Sequence, residues 1–598
     1  MSINITDLKK MNIKELNELS NILRNKIIET VSKTGGHLSS NLGVVELIIA
    51  LHYVFDSPKD LIFYDVSHQT YVHKLLTGRY DEFDNLRKFN GISGFLSKKE
   101  SVHDIFEAGH SSTSISAALG FLEAKKDNPD LFDNAISVIG DASIVNGLSM
   151  EALNYLGSKP DQKLIIILND NEMGISKNVG GLARTFNKIR VKNKFRLLRK
   201  IMPKFIKNMM KSIAYKKTPF SGFGLKYLGV IDGHNIKELI EYFEYAKKSP
   251  TSVVLHVKTQ KGKGYKFAEE DKTGLWHSTP AFDIESGIQY DQNGSKILFG
   301  EKFGEILSNY INNGHNNLRV MSAGMIYGTG LSTFANLHPD KLIDVGIAEE
   351  SAVVMASAMS SGGLIPFVFI YSTFLQRAYD ELIHDFARNN SHGCICIDRA
   401  GIVAGDGATH QGIYDVAYLS SIPNLNILAP RNDQELKSMV DYIIKNPKPY
   451  AIRYPKYSYN SLENSTFNMK WKVLKESTNK KYIISYGPTL DKLLELLNDT
   501  QIGLINASTI KPLDYDLIKE LLLNNNKLYL YEEVINSGSM KMQVVDFAND
   551  LYQNGIIDRF VIKSKTLPDE YLTVGEKEEL LELYNMNVSE FINFVKKD

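Results

Sequence analysis

The feature that most constrains the fold is a regular alternation of short apolar runs with longer helical stretches. Runs that end at Gly140, Leu168 and Val257 are rich in Val, Ile and Leu at nearly every position. Continuous apolar runs of this length are typical of strands buried on both faces of a parallel sheet. Parallel strands need long crossover connections, which are usually helices. The pattern therefore predicts an α/β protein with mostly parallel sheets.

The same alternation recurs twice further along the chain, and its interruptions predict domain boundaries. Residues 290–296, "YDQNGSK", indicate a linker, and the polar and aromatic residues 456–472 indicate a second boundary. A chain of 598 residues is too long for a single core. We therefore predict three consecutive α/β domains, over residues 1–298, 299–470 and 471–598. The later apolar runs are "LRVMSAG", "LIDVG", "PFVFIY", "CICIDRAG", "LNILAP" and "YAIRYP", then "KYIISYG", "IGLINAS", "KLYLYEE" and "RFVIKS".

The amino-terminal part is predicted to be helical before the first sheet begins. Residues 13–32 have the apolar spacing of an amphipathic helix, "TGGH" interrupts it, and a second helix follows over about 44–54.

The charge balance argues against nucleic acid or a membrane as a partner. Lys and Arg together number 69, as do Asp and Glu, so the chain has no global attraction to polyanions. Residues 184–217 depart from this balance because they contain many cations and no acidic residue. The segment could be a patch for a polyanion or a membrane, or a solvated insertion that covers an apolar stripe. The neutral chain favours the insertion.

Cysteine usage and the amino-terminal residues indicate a cytoplasmic protein. The two cysteines, Cys394 and Cys396, are spaced to face one side of a strand, which favours buried thiols in a reducing compartment. The start "MSINITDLKK" lacks the apolar stretch of a signal peptide, and no run of eighteen apolar residues occurs. We expect neither a signal peptide nor a membrane span.

Two neighbouring strand ends in the first domain carry oxygen ligands. Asp141 follows one apolar run and Asn171 follows the next. Open α/β sheets bind ligands at this edge, and Mg²⁺ prefers oxygen ligands beside phosphates. The small residues Gly140, Ala142 and Ser143 would let backbone N–H groups approach a phosphate. The alternative is an ordinary turn in which Asp141 caps the following helix, "GLSMEALNYL".

Other turns of the first domain have the composition of an anion site. In "AGHSSTSISAALG" (108–120), small and hydroxyl residues precede a predicted helix, whose free N–H groups could bind phosphate. A capped core helix is the alternative. "TGGHLSSNLG" (34–43) and "DVSHQTYVHK" (65–74) each place a histidine in a turn.

The second domain contains candidates for proton transfer and phosphate binding. Glu349, in "DVGIAEESAV", follows a strand and begins a small-residue helix. Burial there would raise its pKa and let it share a proton with a heterocycle nitrogen; a carboxylate that stabilises a helix start is the alternative. Arg399 and Arg453 follow predicted strand ends near Asp406 and His410, and the arginine fork suits a phosphate monoester.

Taken together, these motifs resemble those of the 1-deoxy-D-xylulose-5-phosphate synthase family of transketolase-like thiamine-diphosphate enzymes. The strings that carry the resemblance span nearly the whole chain: "GGHLSSNLG", "GHSSTSIS", "LNDNEM", "DGHN", "KGKGY", "YSTFLQRAYD", "DRAGIVAGDGATHQG" and "RYPK". The resemblance implies a transketolase-like thiamine-diphosphate-binding fold and a homodimer. It also implies a decarboxylating condensation of pyruvate with D-glyceraldehyde 3-phosphate, which supplies isoprenoid, thiamine and pyridoxal biosynthesis.

The resemblance also assigns roles to residues of this chain. The implied Mg²⁺ ligands are Asp141, Asn171 and the carbonyl of Met173. The implied thiamine-diphosphate contacts are His68, Gly109, His110, Ser111, Ala142, Ser143, Asn171, Tyr265 and Glu349, with Phe374 stacking on the aminopyrimidine. The implied catalytic residues are Glu349, which would protonate that ring, and His37, His410, Asp406 and His277 for proton transfer and hydroxyl recognition. The implied substrate contacts are Tyr371, Arg377, Arg399 and Arg453.

The chain departs from the family pattern at a few positions. Ala142 replaces a usual glycine, Ser67 replaces another, and Glu350-Ser351 replaces a usual Gln-His after Glu349. The residues "FSGFG" (220–224) replace a usual acidic stretch. An acidic neighbour would raise the pKa of a buried carboxyl group. A divergent transketolase-like paralogue with another donor or acceptor, or a weakly active or non-catalytic homologue, is therefore the alternative to the standard reaction.

Overall fold

The computed structural model describes residues 5–172, 180–182, 185, 218–290, 296–458 and 465–598. Met173 and, apart from Thr185, the basic segment 184–217 lie outside the described residues. The chain divides into two compact units, Met1–Gln292 and Asn293–Asp598. Within the described ranges, no helix has the length and apolar character needed to cross a membrane.

The first unit is built around a five-stranded, entirely parallel sheet, as predicted. The strand Leu164–Asp170 lies at its centre, and its alternate residues face two different cores. Ile165 and Ile167 belong to one core, and Ile166 and Leu168 belong to the other. Both faces are therefore covered, which explains the continuous apolar runs. The strands, in spatial order, are Leu61–Tyr64, Ala135–Gly140, Leu164–Asp170, Val253–Lys258 and Lys226–Asp232.

The helices of the first unit follow the local signals of the sequence. The helix Ile13–Thr34 begins with a capping box between Asn12 and Glu15 and ends at Gly35, whose φ of 68° ends the helical turn. This helix and Val45–Val54 confirm the two predicted helices. The helices are Ile5–Leu8, Ile13–Thr34, Leu38–Leu42, Val45–Val54, Tyr71–Leu76, Ser114–Asp127, Gly147–Gly157, Ile236–Lys247 and Lys266–Glu269, with 3₁₀ turns at Phe83–Asn85 and Pro219–Phe223.

The second unit contains two larger sheets, and all ten predicted apolar runs form strands in them. In spatial order the seven-stranded sheet consists of Thr509–Lys511, Asn426–Leu428, Pro449–Arg453, Gly393–Asp398, Ile365–Tyr371, Leu318–Ser322 and Leu342–Asp344. The five-stranded sheet consists of Lys472–Lys475, Gly503–Asn506, Lys481–Ser485, Lys527–Ile535 and Ile562–Leu567. Only the edge strands Thr509–Lys511 and Lys472–Lys475 pair antiparallel in these two sheets. Cys394 and Cys396 are both free and buried, as expected.

The two sheets of the second unit share structure, which explains why they form one compact unit. Thr509–Lys511, from the carboxy-terminal part, pairs with Asn426–Leu428 of the larger sheet. One continuous core contains residues of both sheets, such as Ile395 and Ile484. The three domain ranges therefore stay a prediction. A short pairing of Ile297–Leu298 with Tyr457–Ser458 completes the strands described here.

The helices of the second unit connect these strands, and two of them begin at or near candidate site residues. Glu349 is the first residue of Glu349–Ser361, and Phe374 lies in Ser372–Leu375. The α-helices are Phe299–Asn312, Ser332–Leu337, Glu349–Ser361, Ser372–Leu375, Tyr379–Glu381, Asp415–Ser420, Asp433–Lys445, Thr489–Leu497, Tyr515–Leu523, Met540–Gln553, Lys577–Leu583 and Val588–Lys597. Gln376–Ala378 and Gly407–Thr409 are 3₁₀ turns, and Leu382–Ala387 is a π-helical turn.

Candidate active site

The ends of two adjacent strands bring Asp141 next to residues 171–172. The buried Asp141 carboxylate accepts a hydrogen bond of 3.1 Å from the backbone N–H of Glu172. Asn146, and not Asp141, caps the following helix through the N–H of Leu148. The alternative in which Asp141 is a helix cap is therefore wrong. Its carboxylate instead faces the end of the neighbouring strand, where Asn171 lies.

The backbone beside Asp141 is not crowded by the described residues at Gly140. A methyl group added to Gly140 would meet no atom of the described residues within 4 Å. Ala142 does not adopt a positive φ, so its methyl group is accommodated without strain. No cluster of three His, Cys, Asp or Glu side chains suited to a metal occurs in the described part of the chain. The predicted Mg²⁺ set differs from such a cluster because it combines one carboxylate with amide and carbonyl oxygens.

The loop before the helix Ser114–Asp127 is fixed by Asp65, a residue to which no sequence motif assigned a role. The buried Asp65 carboxylate accepts hydrogen bonds from the backbone N–H groups of Ser112 and Ser114 at 2.8 and 3.2 Å. Burial raises the pKa of Asp65, although these hydrogen bonds oppose the shift. Thr113, at the N-cap, makes no side-chain cap. Asp65 therefore shapes the loop that carries the predicted residues Gly109, His110 and Ser111 and lies beside the predicted Ser143.

Several non-glycine residues in the loops around this site adopt positive φ angles. Ser67 has a φ of 70°, Ser112 of 75° and Glu172 of 70°. Such conformations are costly for side chains with a Cβ atom and concentrate at functional sites. Ser67 occupies the position of a usual glycine, and its hydroxyl accepts a hydrogen bond of 3.1 Å from the N–H of Leu96. The hydroxyl thus gives the serine a contact that glycine could not make.

Three of the predicted histidines lie together in the first unit. The ring centroids of His37 and His68 are 5.6 Å apart, and the ring of His277 lies 5.9 Å from His37 and 5.1 Å from His68. Phe95 packs edge-on against His37 at 5.2 Å. Burial, together with the charge of Lys261, lowers the pKa of His277 well below its ordinary range. His277 is therefore neutral near pH 7, with one ring nitrogen able to donate a hydrogen bond and the other able to accept one.

Lys261 joins this cluster, although it was not assigned a role from the sequence. Burial lowers the pKa of Lys261 to about 8, and the nearby carboxylates of Asp271 and Asp141 oppose the shift. The lysine therefore places a positive charge near both Asp141 and His277. The sequence signal was the "KGKGY" string that follows the strand Val253–Lys258. The predicted cofactor residue Tyr265, in the same string, packs against Phe267, Trp276 and Phe282, and its hydroxyl donates to the Ile284 carbonyl.

In the second unit, Glu349 has the properties expected of a proton-sharing carboxyl group. Its side chain is 4% exposed, and its Oε2 atom has no hydrogen-bond partner among the described residues. Burial raises the pKa of Glu349 to about 7; the positive charge of Arg377 opposes this shift and Glu350 adds to it. A buried carboxyl group with a free oxygen and a near-neutral pKa can donate or accept a proton at physiological pH.

Two predicted substrate residues, Tyr371 and Arg399, lie beside the predicted cofactor residue Phe374 and the predicted catalytic residue His410. The rings of Tyr371 and Phe374 are stacked with centroids 5.6 Å apart, and His410 packs edge-on against Phe374 at the same distance. The guanidinium of Arg399 lies 4.7 Å from the centroid of Tyr371 and forms a salt bridge with Asp398. Arg399 has a φ of 61°, a further strained backbone at a strand end. Aromatic faces and a cation therefore form one surface here.

The loop that carries Asp406 and His410 is held by the carboxy-terminal part of the chain. The Gln411 amide donates to the carbonyls of Val403 and Gly407 and accepts from the Val403 N–H, which closes the loop. The N–H of Gly405 donates to the Gly575 carbonyl at 3.1 Å. Residues near 575 therefore support this loop, a contact that no sequence motif indicated.

Arg453 is already paired inside the protein. Its guanidinium makes two hydrogen bonds with the fully buried Asp415 carboxylate, at 2.9 and 3.2 Å. It also lies over the ring of Tyr486 at 5.4 Å. Asp415, which no sequence motif singled out, thus neutralises and orients the predicted phosphate-binding arginine.

Comparison with known sequences places the chain in a class and then in a family. Residues 295–461 match the pyrimidine-binding domain of transketolase, and residues 469–590 match the transketolase C-terminal domain. With the parallel sheets described above, these matches define a transketolase-type α/β protein. Residues 2–259 match the 1-deoxy-D-xylulose-5-phosphate synthase family.

Full-length relatives agree with these matches. A 1-deoxy-D-xylulose-5-phosphate synthase from Clostridium acetobutylicum is 40% identical over 98% of this chain and 97% of its own length. The enzyme of that name from Caldanaerobacter subterraneus is 41% identical over 97% of this chain and 96% of its own length. The chain belongs to the 1-deoxy-D-xylulose-5-phosphate synthase family.

Two solved transketolase structures have some similarity to the chain. The transketolase of Campylobacter jejuni is 19% identical with a TM-score of 0.42, and covers 98% of this chain and 100% of its own. The transketolase of Leishmania mexicana is 14% identical with a TM-score of 0.43, and covers 97% of both chains.

Proposed function

We propose that the protein catalyses the condensation of pyruvate with D-glyceraldehyde 3-phosphate to give 1-deoxy-D-xylulose 5-phosphate and carbon dioxide, with thiamine diphosphate as cofactor. Membership of the family supports this activity. The observation that carries it in the structure is Glu349, whose buried carboxyl group has a near-neutral pKa and an unpaired oxygen. A ring nitrogen of an aminopyrimidine would satisfy that oxygen, so the residues present fit the cofactor.

Different residues of the chain have different roles in this reaction. When bound, thiamine diphosphate supplies the electron sink that permits decarboxylation. Glu349 holds the proton that is shared with the cofactor ring. Near the first sheet, His37 and His277 are the candidates for proton transfer and hydroxyl recognition, and His68 beside them lines the cofactor. Phe374 stacks on the aminopyrimidine, and His410 and Asp406 serve proton transfer and hydroxyl recognition. The aldehyde substrate and its phosphate are bound by Tyr371, Arg377, Arg399 and Arg453.

A product assay tests this proposal. The purified protein is incubated with thiamine diphosphate, Mg²⁺ and [1-¹⁴C]pyruvate, with and without D-glyceraldehyde 3-phosphate. We expect the aldehyde to increase the release of labelled carbon dioxide and a five-carbon ketose phosphate to form in equal amount. Ketose phosphate formation from a sugar-phosphate donor without carbon dioxide would instead indicate a ketol transferase. No product from either donor, with no cofactor binding, would indicate a non-catalytic homologue.

We also propose that Asp141, Asn171 and the carbonyl of Met173 bind Mg²⁺, which holds the diphosphate. The support is the placement of Asp141 against the end of the next strand and the open space at Gly140. Met173 lies outside the described residues, so its part rests on the sequence. The contacts predicted for His68, Gly109, His110, Ser111, Ala142, Ser143 and Tyr265 likewise stay predictions.

Substitution of Asp141 by asparagine should weaken Mg²⁺-dependent cofactor binding. The change keeps the size of the side chain and its acceptor oxygen for the Glu172 N–H but removes the negative charge that a divalent ion requires. We expect the Kd for thiamine diphosphate at fixed Mg²⁺ to rise by about 10- to 100-fold. Calorimetric titration with the cofactor measures this. Glu151→Asn, at an exposed position of the following helix, is the control; equal affinities for wild type and Asp141→Asn would contradict the metal role.

We further propose that the protein is a homodimer and that the helix Glu349–Ser361 contributes to the interface. Val354 and Met355 on this helix are 41% and 38% exposed, and no charged residue follows Glu350 up to Ser361. Exposed apolar surface of this kind marks an interaction site. A second copy of the chain is the proposed occupant, as the family resemblance implies. The cytoplasmic location stays a prediction.

A charge on this face should disrupt the dimer. Val354→Glu would place a carboxylate in an apolar interface, where its desolvation is unfavourable. We expect light scattering to show wild type at twice the chain mass and Val354→Glu shifted toward the monomer. Leu496→Glu, at a similarly exposed leucine on the helix Thr489–Leu497, is the matched control and should stay dimeric. An unchanged dimer for Val354→Glu would place the interface elsewhere.

A further inference from the structure

A buried ionic network in the first unit accounts for no step of the proposed reaction. The guanidinium of Arg24 lies 2.6 Å from Oε1 of Glu46, and Nδ1 of His234 lies 3.0 Å from Oε2 of the same carboxylate. Arg24 and Glu46 are 6% and 5% exposed. The two partners hold the pKa of Glu46 below its ordinary value, although burial opposes them. His234 belongs to the "DGHN" string, one of the strings that carry the family resemblance and the one with no role attached to it.

The hydrogen bonds of His234 define which of its ring nitrogens donates and which accepts. Nε2 of His234 lies 2.8 Å from the backbone N–H of Gln260. A backbone N–H can only donate, so Nε2 is the acceptor and the proton resides on Nδ1, where it is donated to Glu46. The geometry therefore selects the Nδ1–H tautomer of His234. The ionised Glu46 selects this tautomer, and the tautomer creates the acceptor for Gln260.

The hydrogen bonds of this network reach the backbone on both sides of Lys261. Gln260, which His234 binds, precedes it in the chain, and the carbonyl of Lys263, which accepts a hydrogen bond of 3.0 Å from Arg24, follows two residues later. Between them, the N–H of Gly262 donates to the Ser39 carbonyl at 2.8 Å. The backbone of Lys261 is thus fixed from both directions by groups that reach back to Glu46.

The position of Lys261 gives this arrangement a consequence for the cofactor. Its ammonium group interacts electrostatically with Asp141, the proposed metal ligand, and with His277. A hydrogen bond also connects this segment to the end of the strand Leu164–Asp170. The hydroxyl of Thr259 donates to Oδ1 of Asn169 at 2.6 Å. A lysine beside a metal and diphosphate site contributes as a point charge whose effect depends on its placement.

We propose that Glu46 and His234 are positioning residues that hold the Gln260–Lys263 turn so that Lys261 faces the diphosphate end of the cofactor. Arg24 holds the other end of this turn by its hydrogen bond to the Lys263 carbonyl. The inference rests on the proposed function, because it assumes that the first unit binds thiamine diphosphate with Mg²⁺. It extends that function by assigning a role to the "DGHN" string and to a carboxylate on a distant helix.

Two substitutions of His234 separate positioning from simple stability. An asparagine places a polar atom near the position of Nδ1, so His234→Asn keeps the donor to Glu46 and loses the acceptor for Gln260. A glutamine reaches the position of Nε2, so His234→Gln keeps the acceptor for Gln260. In calorimetry with Mg²⁺, we expect the Kd for thiamine diphosphate to be about 10- to 100-fold higher for His234→Asn than for wild type. This is the usual range for residues that orient a binding residue without touching the ligand themselves. His234→Gln should restore most of the affinity.

A double-mutant cycle tests whether the effect passes through Lys261. Glu46→Gln disturbs the tautomer of His234, because the amide cannot accept a hydrogen bond from Nδ1–H at its NH₂ group. We expect Glu46→Gln to raise the Kd in the wild-type background but to add less than about twofold in a Lys261→Met background. Glu241→Gln, at an exposed glutamate on the helix Ile236–Lys247, is the control and should not change the Kd.

The outcomes distinguish the inference from the function on which it rests. Failure of the wild-type protein to bind the cofactor would overturn both. Normal wild-type binding with equal affinity for His234→Asn or Glu46→Gln, even with a lower melting temperature, would overturn the positioning role alone. A full effect of Glu46→Gln in the absence of Lys261 would also overturn the positioning role. A higher Kd with kcat preserved at saturating cofactor supports the inference.

Discussion

Replacement of Glu349 by glutamine is expected to lower kcat by about 10²- to 10⁴-fold, the usual contribution of a positioned acid or base. Glutamine has the shape of the glutamate but cannot exchange a proton near pH 7. Burial gives Glu349 a pKa of about 7, so the native residue can exist in both protonation states there. The affinity for thiamine diphosphate should change much less than kcat. Steady-state kinetics at saturating cofactor, with calorimetry alongside, measure the two effects separately.

Glu350→Gln is the matched control for this prediction. Glu350 is adjacent in sequence and more exposed, and its charge adds to the raised pKa of Glu349. Its removal should lower the pKa of Glu349 and move the acidic limb of the pH–rate profile to lower pH, with kcat largely kept. Near-normal turnover of Glu349→Gln would refute the proton-sharing role. An equal loss for Glu350→Gln would show that the effect is not specific to the buried carboxyl group.

The same residue predicts a pH-dependent stability of the cofactor-free protein. Between its ordinary pKa of 4.5 and about 7, Glu349 is protonated in the folded state and ionised in the unfolded state. The folded state binds more protons in this window, so stability falls as the pH rises through it, by about 3 kcal/mol in total. Glu349→Gln should therefore stabilise the protein in urea titrations at pH 8 and not at pH 4.5. Destabilisation at pH 8 would contradict the raised pKa.

Substitution of Arg453 by alanine is expected to destabilise the protein by about 3–5 kcal/mol, the cost of leaving one partner of a buried ion pair alone. Asp415 is fully buried, and its carboxylate accepts two hydrogen bonds from Arg453. Without the arginine, a charge would remain in a site with little access to water. Thermal and urea unfolding at pH 7.5 should show the loss. Unchanged unfolding would mean that Asp415 finds another partner.

The proposed phosphate role of Arg453 requires a variant that avoids this instability. In the double variant Arg453→Met with Asp415→Asn, no charge is left unpaired, so stability should return toward wild type. If Arg453 also binds the substrate phosphate, the KM for D-glyceraldehyde 3-phosphate should stay raised while the KM for pyruvate is nearly unchanged. Asp415→Asn alone is the control. Equal changes in both KM values would show that the pair supports the fold and does not select the phosphate.

The layered α/β architecture could be predicted from local sequence alone, because strand formation depends on apolar runs and helix ends depend on nearby caps. All ten runs predicted for the second unit became strands, and the helix at Asn12–Glu15 began where its capping box lies. Asp141 and Glu349 could be found as candidates in the same way, since Asp141 directly follows an apolar run and Glu349 begins the helix after the next short loop from a strand.

The groups that neutralise and orient these candidates are visible only in the folded chain. Asp65 fixes a loop 47 residues away, Asp415 pairs with Arg453 across 38 residues, and Glu46 meets His234 across 188. No local pattern encodes such pairs, because each partner is an ordinary polar residue in its own segment. Hydrogen bonding and charge pairing act over a few ångströms in space, so folding alone determines which distant side chains come within that range.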